Sequence, residues 1–220
     1  MTKGLGRLLD QEFEAVIFDM DGTLIDSTPA VLRAWSVWAA EHDLTPEDLQ
    51  GNHGVPSAGV VRKILPEHRH ESAIERINEL ELDDVHDITV LPGAAEALEV
   101  LSSAKNAIAT SCTLPLAQAR IAAATLVPPS VLVTADDVVR GKPAPDPFLE
   151  AAKRLGVDPS RCLVVEDAPA GLASARAAGC WTLAVVTTTP IEELQADAVV
   201  TNLSAVSFEV EDDRIRLRPA

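Results

Sequence analysis

Short apolar segments alternate with longer Ala- and Leu-rich segments from about residue 93 to residue 200. The apolar segments are interpreted as buried strands, and the longer ones have helical composition. The predicted helices are 93–104, 116–125, 147–155 and 170–178, and the predicted strands are 107–110, 131–134, 162–165, 182–186 and 198–200. Strands that alternate with helices form a parallel sheet with helices on both faces. The chain is therefore predicted to belong to the α/β class.

Another apolar segment, residues 15–17, leads into Phe18 and then two closely spaced aspartates. Gly22 ends this predicted strand, so Asp19 and Asp21 fall where the strand gives way to a loop. Side chains two residues apart on an extended chain point to the same face, so the two carboxylates are expected to converge. They would repel each other without a cation or a proton between them. The sequence thus favours a divalent metal here over ordinary turn chemistry.

Residues 28–90 interrupt the alternation. Apolar side chains recur there at helical spacing, first at Val31, Trp35 and Trp38, with almost no strand signal. We predict a small helical domain over 28–90, inserted into a core domain made of 1–27 and 91–220. The polar and apolar alternation of residues 206–217 predicts a terminal β-hairpin.

Composition narrows the class of partner. Of the 220 residues, 47% are hydrophobic, which indicates a globular chain. The formal net charge of −16 disfavours binding to nucleic acid or anionic membranes. No apolar run approaches the roughly 20 residues of a membrane span, and residues 1–14 do not resemble a signal peptide. The three cysteines lack metal-type spacing and are expected to be free thiols in a cytoplasmic protein.

The predicted strand 107–110 ends in hydroxyl groups. Thr110, Ser111 and Cys112 offer hydroxyls and turn N–H groups that suit phosphate oxygens at the carboxyl edge of a parallel sheet. Capping of the next helix is an equally good interpretation of the hydroxyls alone. Cys112 has no partner motif that would activate a thiol nucleophile, so that role is disfavoured.

Two more features follow predicted strands. Lys142 lies in a proline-rich frame, 141–147, that fixes the backbone around a single cation suited to a phosphate or a carboxylate pair. This frame is not a P-loop, since neither Ser nor Thr follows the lysine. Glu166 and Asp167 end a very apolar strand, where adjacent acids are costly unless a cation compensates them. Metal binding is favoured over the alternative, stabilisation by the following helix N-terminus.

Together the motifs supply carboxylates, a hydroxyl and a lysine, the groups needed for metal-assisted phosphoryl transfer through a carboxylate nucleophile. In their order and over nearly the whole chain they resemble the motifs of the haloacid dehalogenase-like hydrolase superfamily. The resemblance implies a Rossmann-like sheet of strand order 3-2-1-4-5, with a helical cap formed by the insert. That order brings Asp19 and Asp21 beside Glu166 and Asp167.

The resemblance also implies roles for these residues. Asp19 is the expected nucleophile, forming an aspartyl-phosphate, and Asp21 the expected acid and base. Mg²⁺ is expected to be held by Asp19, by Asp21 through its backbone carbonyl, and by Asp167, with Glu166 either a ligand or a support for one. Dehalogenases are disfavoured because they lack the second acid and use no Mg²⁺.

Other expected contacts follow from the same resemblance. Ser111 and Lys142 would bind the transferring phosphoryl group. The loop 51–54 lies where relatives carry a substrate-specificity loop, and Gly54 is expected to line the substrate site. For His53, substrate contact and a purely structural role are equally good alternatives.

The expected activity is Mg²⁺-dependent hydrolysis of small sugar or polyol phosphates, with the strongest likeness to glycerol-phosphate and deoxysugar-phosphate phosphatases. A β-phosphoglucomutase-like mutase is the first alternative, disfavoured because Ser57 stands where such mutases carry an arginine. A phosphoglycolate-type phosphatase and a catalytically idle phosphate-binding scaffold are further alternatives. The expected partner is a small phosphorylated metabolite, bound by a monomer or small homo-oligomer.

Overall fold

The structure, a computed structural model, describes residues 3–49, 51 and 54–220. Its α-helices are α1 (Gly6–Leu9), α2 (Thr28–Glu41), α3 (Ser57–Ile64), α4 (His70–Asp83), α5 (Ala94–Val100), α6 (Leu114–Ala123), α7 (Asp146–Leu155) and α8 (Pro169–Ala178). Its strands are β1 (Ala15–Phe18), β2 (Ile25–Asp26), β3 (Thr89–Val90), β4 (Asn106–Ala109), β5 (Val131–Val133), β6 (Cys162–Glu166), β7 (Trp181–Val185), β8 (Ala198–Val200), β9 (Val206–Glu211) and β10 (Arg214–Pro219).

Six parallel strands form the main sheet in the order β5-β4-β1-β6-β7-β8. The predicted α/β fold is confirmed, and β8 extends the expected five-strand order by one strand. Strand β1 lies between β4 and β6, whose connections leave in opposite directions along the sheet. This is the topological switch point at which open α/β sheets bind ligands.

Both faces of the sheet are covered. On β1, Ala15 and Ile17 belong to one hydrophobic cluster and Val16 and Phe18 to another, as the two-residue period of a strand requires. Helices α7 and α8 pack on the first face. Helices α5 and α6 pack on the second, together with the antiparallel hairpin β9–β10. The predicted terminal hairpin is thereby confirmed.

The helical insert has a small core of its own. Helices α2, α3 and α4 surround Trp38 and Ile77, both fully buried. The Trp38 indole donates a hydrogen bond to the Ala73 carbonyl oxygen over 2.9 Å, which fixes α2 against α4. The predicted helical character of this segment is confirmed, while its boundaries at residues 28 and 90 stay a prediction.

A short antiparallel ribbon, β2 with β3, lies where the chain enters and leaves the insert. The sequence does not predict this ribbon, because strands of two residues are too short to show a hydrophobic period. Cys112, Cys162 and Cys180 are free, as expected, and all three are buried. Within the described ranges, no helix has the length and hydrophobicity to cross a membrane.

Candidate active site

Asp19 is the first residue after β1, at the carboxyl edge of the sheet. Its backbone N–H donates to the Val165 carbonyl oxygen over 2.9 Å, so the β1–β6 pairing continues one residue past the strand and fixes its position. Three buried residues, Asp19, Glu166 and Asp167, have carboxylate oxygens within 4.8 Å of one another. The sheet thus brings together three of the predicted metal-binding acids.

Lys142 lies among these acids. Its Nζ is 2.5 Å from Asp19 Oδ1 and 2.8 Å from Glu166 Oε1, and its side chain is fully buried. The ammonium also lies 5.1 Å from the centre of the Phe148 ring, a further favourable contact. Burial alone would lower the pKa of Lys142, but attraction to Asp19 and Glu166 outweighs it and raises that pKa. Lys142 therefore stays charged.

Three buried carboxylates face this single buried ammonium. Burial raises the pKa of Asp19 to about 7, opposed by Lys142 and reinforced by Glu166. Burial, with repulsion from Glu166 and Asp19, also raises the pKa of Asp167 well above its usual range. Negative charge at this point is therefore incompletely compensated by the protein, which is the condition under which a divalent cation binds.

Glu166 has both oxygens occupied. Oε1 accepts from Lys142, and Oε2 accepts from the backbone N–H groups of Asp167 at 2.8 Å and Ala168 at 2.7 Å. Gly171 makes room for it, because a Cβ at that position would lie 1.6 Å from Oε1. Glu166 therefore holds Lys142 and the turn after β6 in place.

Asp167 is held by hydroxyl groups on both of its oxygens. Thr23 Oγ1 donates to it over 3.3 Å, and Thr188 Oγ1 donates to its other oxygen. Thr188 was missing from the sequence prediction, although the hydroxyl-rich run that follows β7 at the same sheet edge was a usable signal. Gly22, with φ +83°, comes so close that a Cβ there would lie 2.3 Å from Asp167 Oδ2.

Asp21 has a different set of partners. Its Oδ1 accepts from Ser27 Oγ at 2.6 Å and from Arg120 Nη1 at 2.9 Å, and its Oδ2 accepts from the Cys112 thiol at 3.1 Å. Asp19 and Asp21 line the same cavity, but the Asp21 carboxylate is not among the three clustered acids described above. Strand β1 ends at Phe18 and a turn follows it, so strand alternation alone does not set the direction of the Asp21 side chain.

Arg120 and Glu81 were also missing from the sequence prediction. Arg120 is on α6 and Glu81 on α4, both are buried, and their Nη2 and Oε1 atoms are 3.1 Å apart. The sequence does hold a signal for Arg120, because this residue falls on the apolar face of α6 with Leu116, Ala117 and Ile121. A charged residue on a buried helical face needs a partner.

The predicted phosphate loop follows β4. Ser111 lines the cavity and its Oγ donates to the Gly54 carbonyl oxygen over 2.8 Å. Thr110 is buried, and its Oγ1 accepts from the Cys112 backbone N–H at 3.1 Å, which shapes the turn. Burial raises the pKa of the Cys112 thiol well above its usual range, so the thiol stays neutral, in keeping with the disfavoured nucleophile role.

The insert contacts the core through the end of the predicted specificity loop and the segment that follows it. Gly54 has φ +77°, and a Cβ there would lie 2.9 Å from the Ala168 Cβ. A Cβ on Gly141 would lie 2.4 Å from Pro56 Cγ. Glycines at both positions therefore allow the insert to close on the sheet edge. His53, predicted at this loop, lies outside the described residues.

A cavity of about 550 Å³ lies between the sheet edge and the insert. From the core it is lined by residues that include Asp19, Asp21, Ser111, Arg120 and Asp167. From the insert it receives apolar side chains of α2 and the polar residues Ser36, Ser57, Asn78 and Glu81. Asp19 and Asp167 of the carboxylate cluster thus face a space large enough to hold more than an inorganic phosphate.

Known proteins share this architecture. Residues 13–179 match the haloacid dehalogenase-like hydrolase family. Hexitol phosphatase A of Escherichia coli is 46% identical over 175 residues, covering 77% of this chain and 81% of that protein. Glycerol-1-phosphate phosphohydrolase 2 of Saccharomyces cerevisiae is 31% identical over 226 residues, covering 94% and 90%.

A solved structure agrees with these relatives. The crystal structure of a hydrolase from Pseudomonas syringae has a TM-score of 0.76 and 30% identity, covering 82% of this chain and 88% of that one. The family resemblance predicted from the motifs is confirmed. The chain therefore belongs to the haloacid dehalogenase-like hydrolases, and it is a phosphoric monoester hydrolase of that family.

Proposed function

We propose that this chain is a Mg²⁺-dependent phosphatase that hydrolyses small sugar or polyol phosphates through an aspartyl-phosphate on Asp19. The observation that carries the proposal is the buried cluster of Asp19, Lys142, Glu166 and Asp167, of which Asp19 and Asp167 line the 550 Å³ cavity. It combines a carboxylate nucleophile with the charges that phosphoryl transfer requires.

The donor set fits Mg²⁺. Carboxylate and carbonyl oxygens are its preferred protein ligands. The clustered carboxylates of Asp19 and Asp167 would supply two of them, and the backbone carbonyl of Asp21 would supply a third, as the family resemblance implies. Glu166 already uses both oxygens in other hydrogen bonds, so we assign it the positioning of Lys142 and Asp167 rather than metal ligation. When bound, Mg²⁺ would offset the negative charge of the phosphate and of the carboxylates.

The protein groups then divide the reaction between them. Asp19 attacks phosphorus and the bond to the leaving alcohol oxygen breaks, with Asp21 donating the proton that this oxygen takes up. Asp21 then removes a proton from the water that attacks the aspartyl-phosphate, releasing inorganic phosphate and restoring Asp19. Lys142, charged and 2.5 Å from Asp19, favours the ionised nucleophile, and Ser111, which lines the cavity, would contact the phosphoryl group.

The cavity supports a substrate larger than glycolate. The insert presents Ser57 Oγ and Asn78 Oδ1, 3.1 Å apart, to the same space as the catalytic acids. Amide and hydroxyl groups of this kind suit sugar or polyol hydroxyls. The names of two relatives, a hexitol phosphatase and a glycerol-1-phosphate phosphohydrolase, support this substrate class.

A phosphate-release panel tests the proposal. The purified protein is incubated with hexitol, hexose, glycerol and glycolate phosphates, each with Mg²⁺ and with a chelator. We expect Mg²⁺-dependent release that is fastest with hexitol or hexose phosphates. Isomerisation of a hexose 1-phosphate without release would favour the mutase. No release above the Asp19→Asn background from any ester would favour an idle scaffold.

Gly22→Ala is expected to weaken Mg²⁺ binding, because the added Cβ would lie 2.3 Å from Asp167 Oδ2 and displace that carboxylate. We expect the Mg²⁺ concentration for half-maximal activity to rise about tenfold, the loss that follows when support for a metal ligand is removed. Isothermal titration with Mg²⁺ and activity against Mg²⁺ concentration measure the effect.

Gly179→Ala is the matched control, since its φ of +84° equals that of Gly22 within a degree and its Cβ would meet nothing within 4 Å. Both variants carry similar backbone strain, about 1 kcal/mol. Only Gly22→Ala should change the Mg²⁺ dependence. Equal Mg²⁺ dependence in the two variants would remove Asp167 from the proposed metal site.

A further inference from the structure

A buried ion network joins the insert to the core beside the proposed acid and base. Arg120, 2% exposed, places Nη1 2.9 Å from Asp21 Oδ1 and Nη2 3.1 Å from Glu81 Oε1. Asp21 belongs to the core and Glu81 to α4 of the insert. One guanidinium therefore bridges two separate parts of the fold through two of its nitrogens.

The network fixes the direction of the Asp21 carboxylate. Ser27 and Arg120 donate to one oxygen and the Cys112 thiol to the other. Arg120 Nη1 also donates to Cys112 Sγ over 3.2 Å, so the guanidinium orders the thiol that contacts the second oxygen. Of the partners described for Asp21, Arg120 is the one that carries charge.

Arg120 is in turn held by the insert. Glu81, on α4, accepts from Arg120 Nη2 over 3.1 Å. A buried guanidinium is costly unless opposite charge is fixed beside it. Withdrawal of α4 from α6 would remove Glu81 and leave Asp21 as the remaining charged partner of Arg120. The orientation of the Asp21 carboxylate therefore depends on how the insert packs against the core.

We propose that Arg120 is a positioning residue for Asp21, and that Glu81 makes this positioning depend on closure of the helical insert over the sheet edge. The inference rests on the proposed function, because it assigns Asp21 the transfer of a proton to the leaving alcohol. Arg120 acts through Asp21 and needs no contact with the substrate.

The inference is tested with two phosphate esters, only one of which needs its leaving oxygen protonated. An alkyl phosphate such as glycerol 1-phosphate must have its leaving oxygen protonated, whereas p-nitrophenyl phosphate releases a stable phenolate that needs none. The ratio kcat/KM reports the steps up to release of the alcohol, so later hydrolysis of the aspartyl-phosphate does not obscure it. Both esters are measured with wild type, Arg120→Lys, Glu81→Gln and Glu79→Gln.

Arg120→Lys keeps the positive charge but cannot reach both acids with one nitrogen. We expect kcat/KM for the alkyl ester to fall about 10²-fold, the usual range for impaired proton transfer, and for the aryl ester to change less than about threefold. Glu81→Gln should show the same selectivity with a smaller loss. Glu79→Gln, on the same helix with its side chain 58% exposed, should match wild type.

The inhibition constant of inorganic phosphate separates positioning from general damage, because phosphate binding should not change when only Asp21 is misaligned. Equal losses on both esters would overturn the inference, as would unchanged activity in both variants. If Arg120→Lys does not fold, as judged by thermal melting, the ester selectivity of Glu81→Gln alone decides. If wild type hydrolyses neither ester, the proposed function fails together with the inference. If wild type hydrolyses the esters but the variants show no ester selectivity, the inference alone fails.

Discussion

Replacing Asp19 by Asn should lower kcat for phosphate release at least about 10⁴-fold, the scale of loss seen when a nucleophile is removed. The amide is isosteric with the carboxylate but does not attack phosphorus, and no other described carboxylate is both next to Lys142 and exposed to the cavity. Fold stability should survive, because burial opposes the charge of Asp19 and the variant carries one fewer buried anion. We expect its melting temperature in chelator to be no lower than that of wild type.

The measurement pairs steady-state phosphate release with acid-quench peptide mapping. In wild type, the quenched protein should carry phosphate on the peptide that contains Asp19, and in Asp19→Asn that phosphate should be absent. Asp10→Asn, an exposed site of the same chemistry, is the control and should behave as wild type. Activity of Asp19→Asn above about one hundredth of wild type would contradict the nucleophile assignment.

Much of the site is predictable because parallel strands end at one edge. Asp19 and Asp167 each follow a segment whose apolar character marks a buried strand, so the βαβ rhythm is enough to place them together. Lys142 is predictable for a related reason, since the prolines around it constrain the backbone just before α7. In each of these three cases a short local pattern determines the position.

The direction of the Asp21 side chain cannot be predicted from local sequence patterns. Spacing of two residues suggests a shared face, but β1 stops at Phe18 and Gly22 takes a positive φ, so the direction of Asp21 is set by tertiary contacts. Its partner Arg120 is 99 residues away in sequence. Such a pairing is decided by how α6 packs against the loop after β1, which no local pattern encodes.

The helical period predicts that the insert is made of helices, whereas its position as a cap over the site follows from the family resemblance alone. Its helical period fixes which side chains of α2 and α4 are buried, yet not which of them face the sheet edge. Glu81 illustrates the difficulty, because on helical spacing alone it is an acid within an apolar stripe. It becomes interpretable only when α6 places Arg120 opposite it.

Lys142→Met should lower the free energy of unfolding and abolish activity. The substitution leaves Asp19 and Glu166 buried without their shared cation, and breaking a buried ion pair by removing one partner costs about 3–5 kcal/mol. Denaturant titration in chelator measures the change in the free energy of unfolding. Lys153→Met, at a side chain that is 76% exposed, is the control and should change that free energy by less than about 0.5 kcal/mol.

A second substitution separates the structural role of Lys142 from its catalytic role. Adding Glu166→Gln to Lys142→Met removes one of the two stranded charges, so the double variant should recover part of the lost stability. It should remain inactive, because Asp19 still lacks the ammonium that favours its ionised form. Wild-type stability in Lys142→Met would contradict the buried ion pair. Activity restored along with stability in the double variant would show that Lys142 serves the fold and not the reaction.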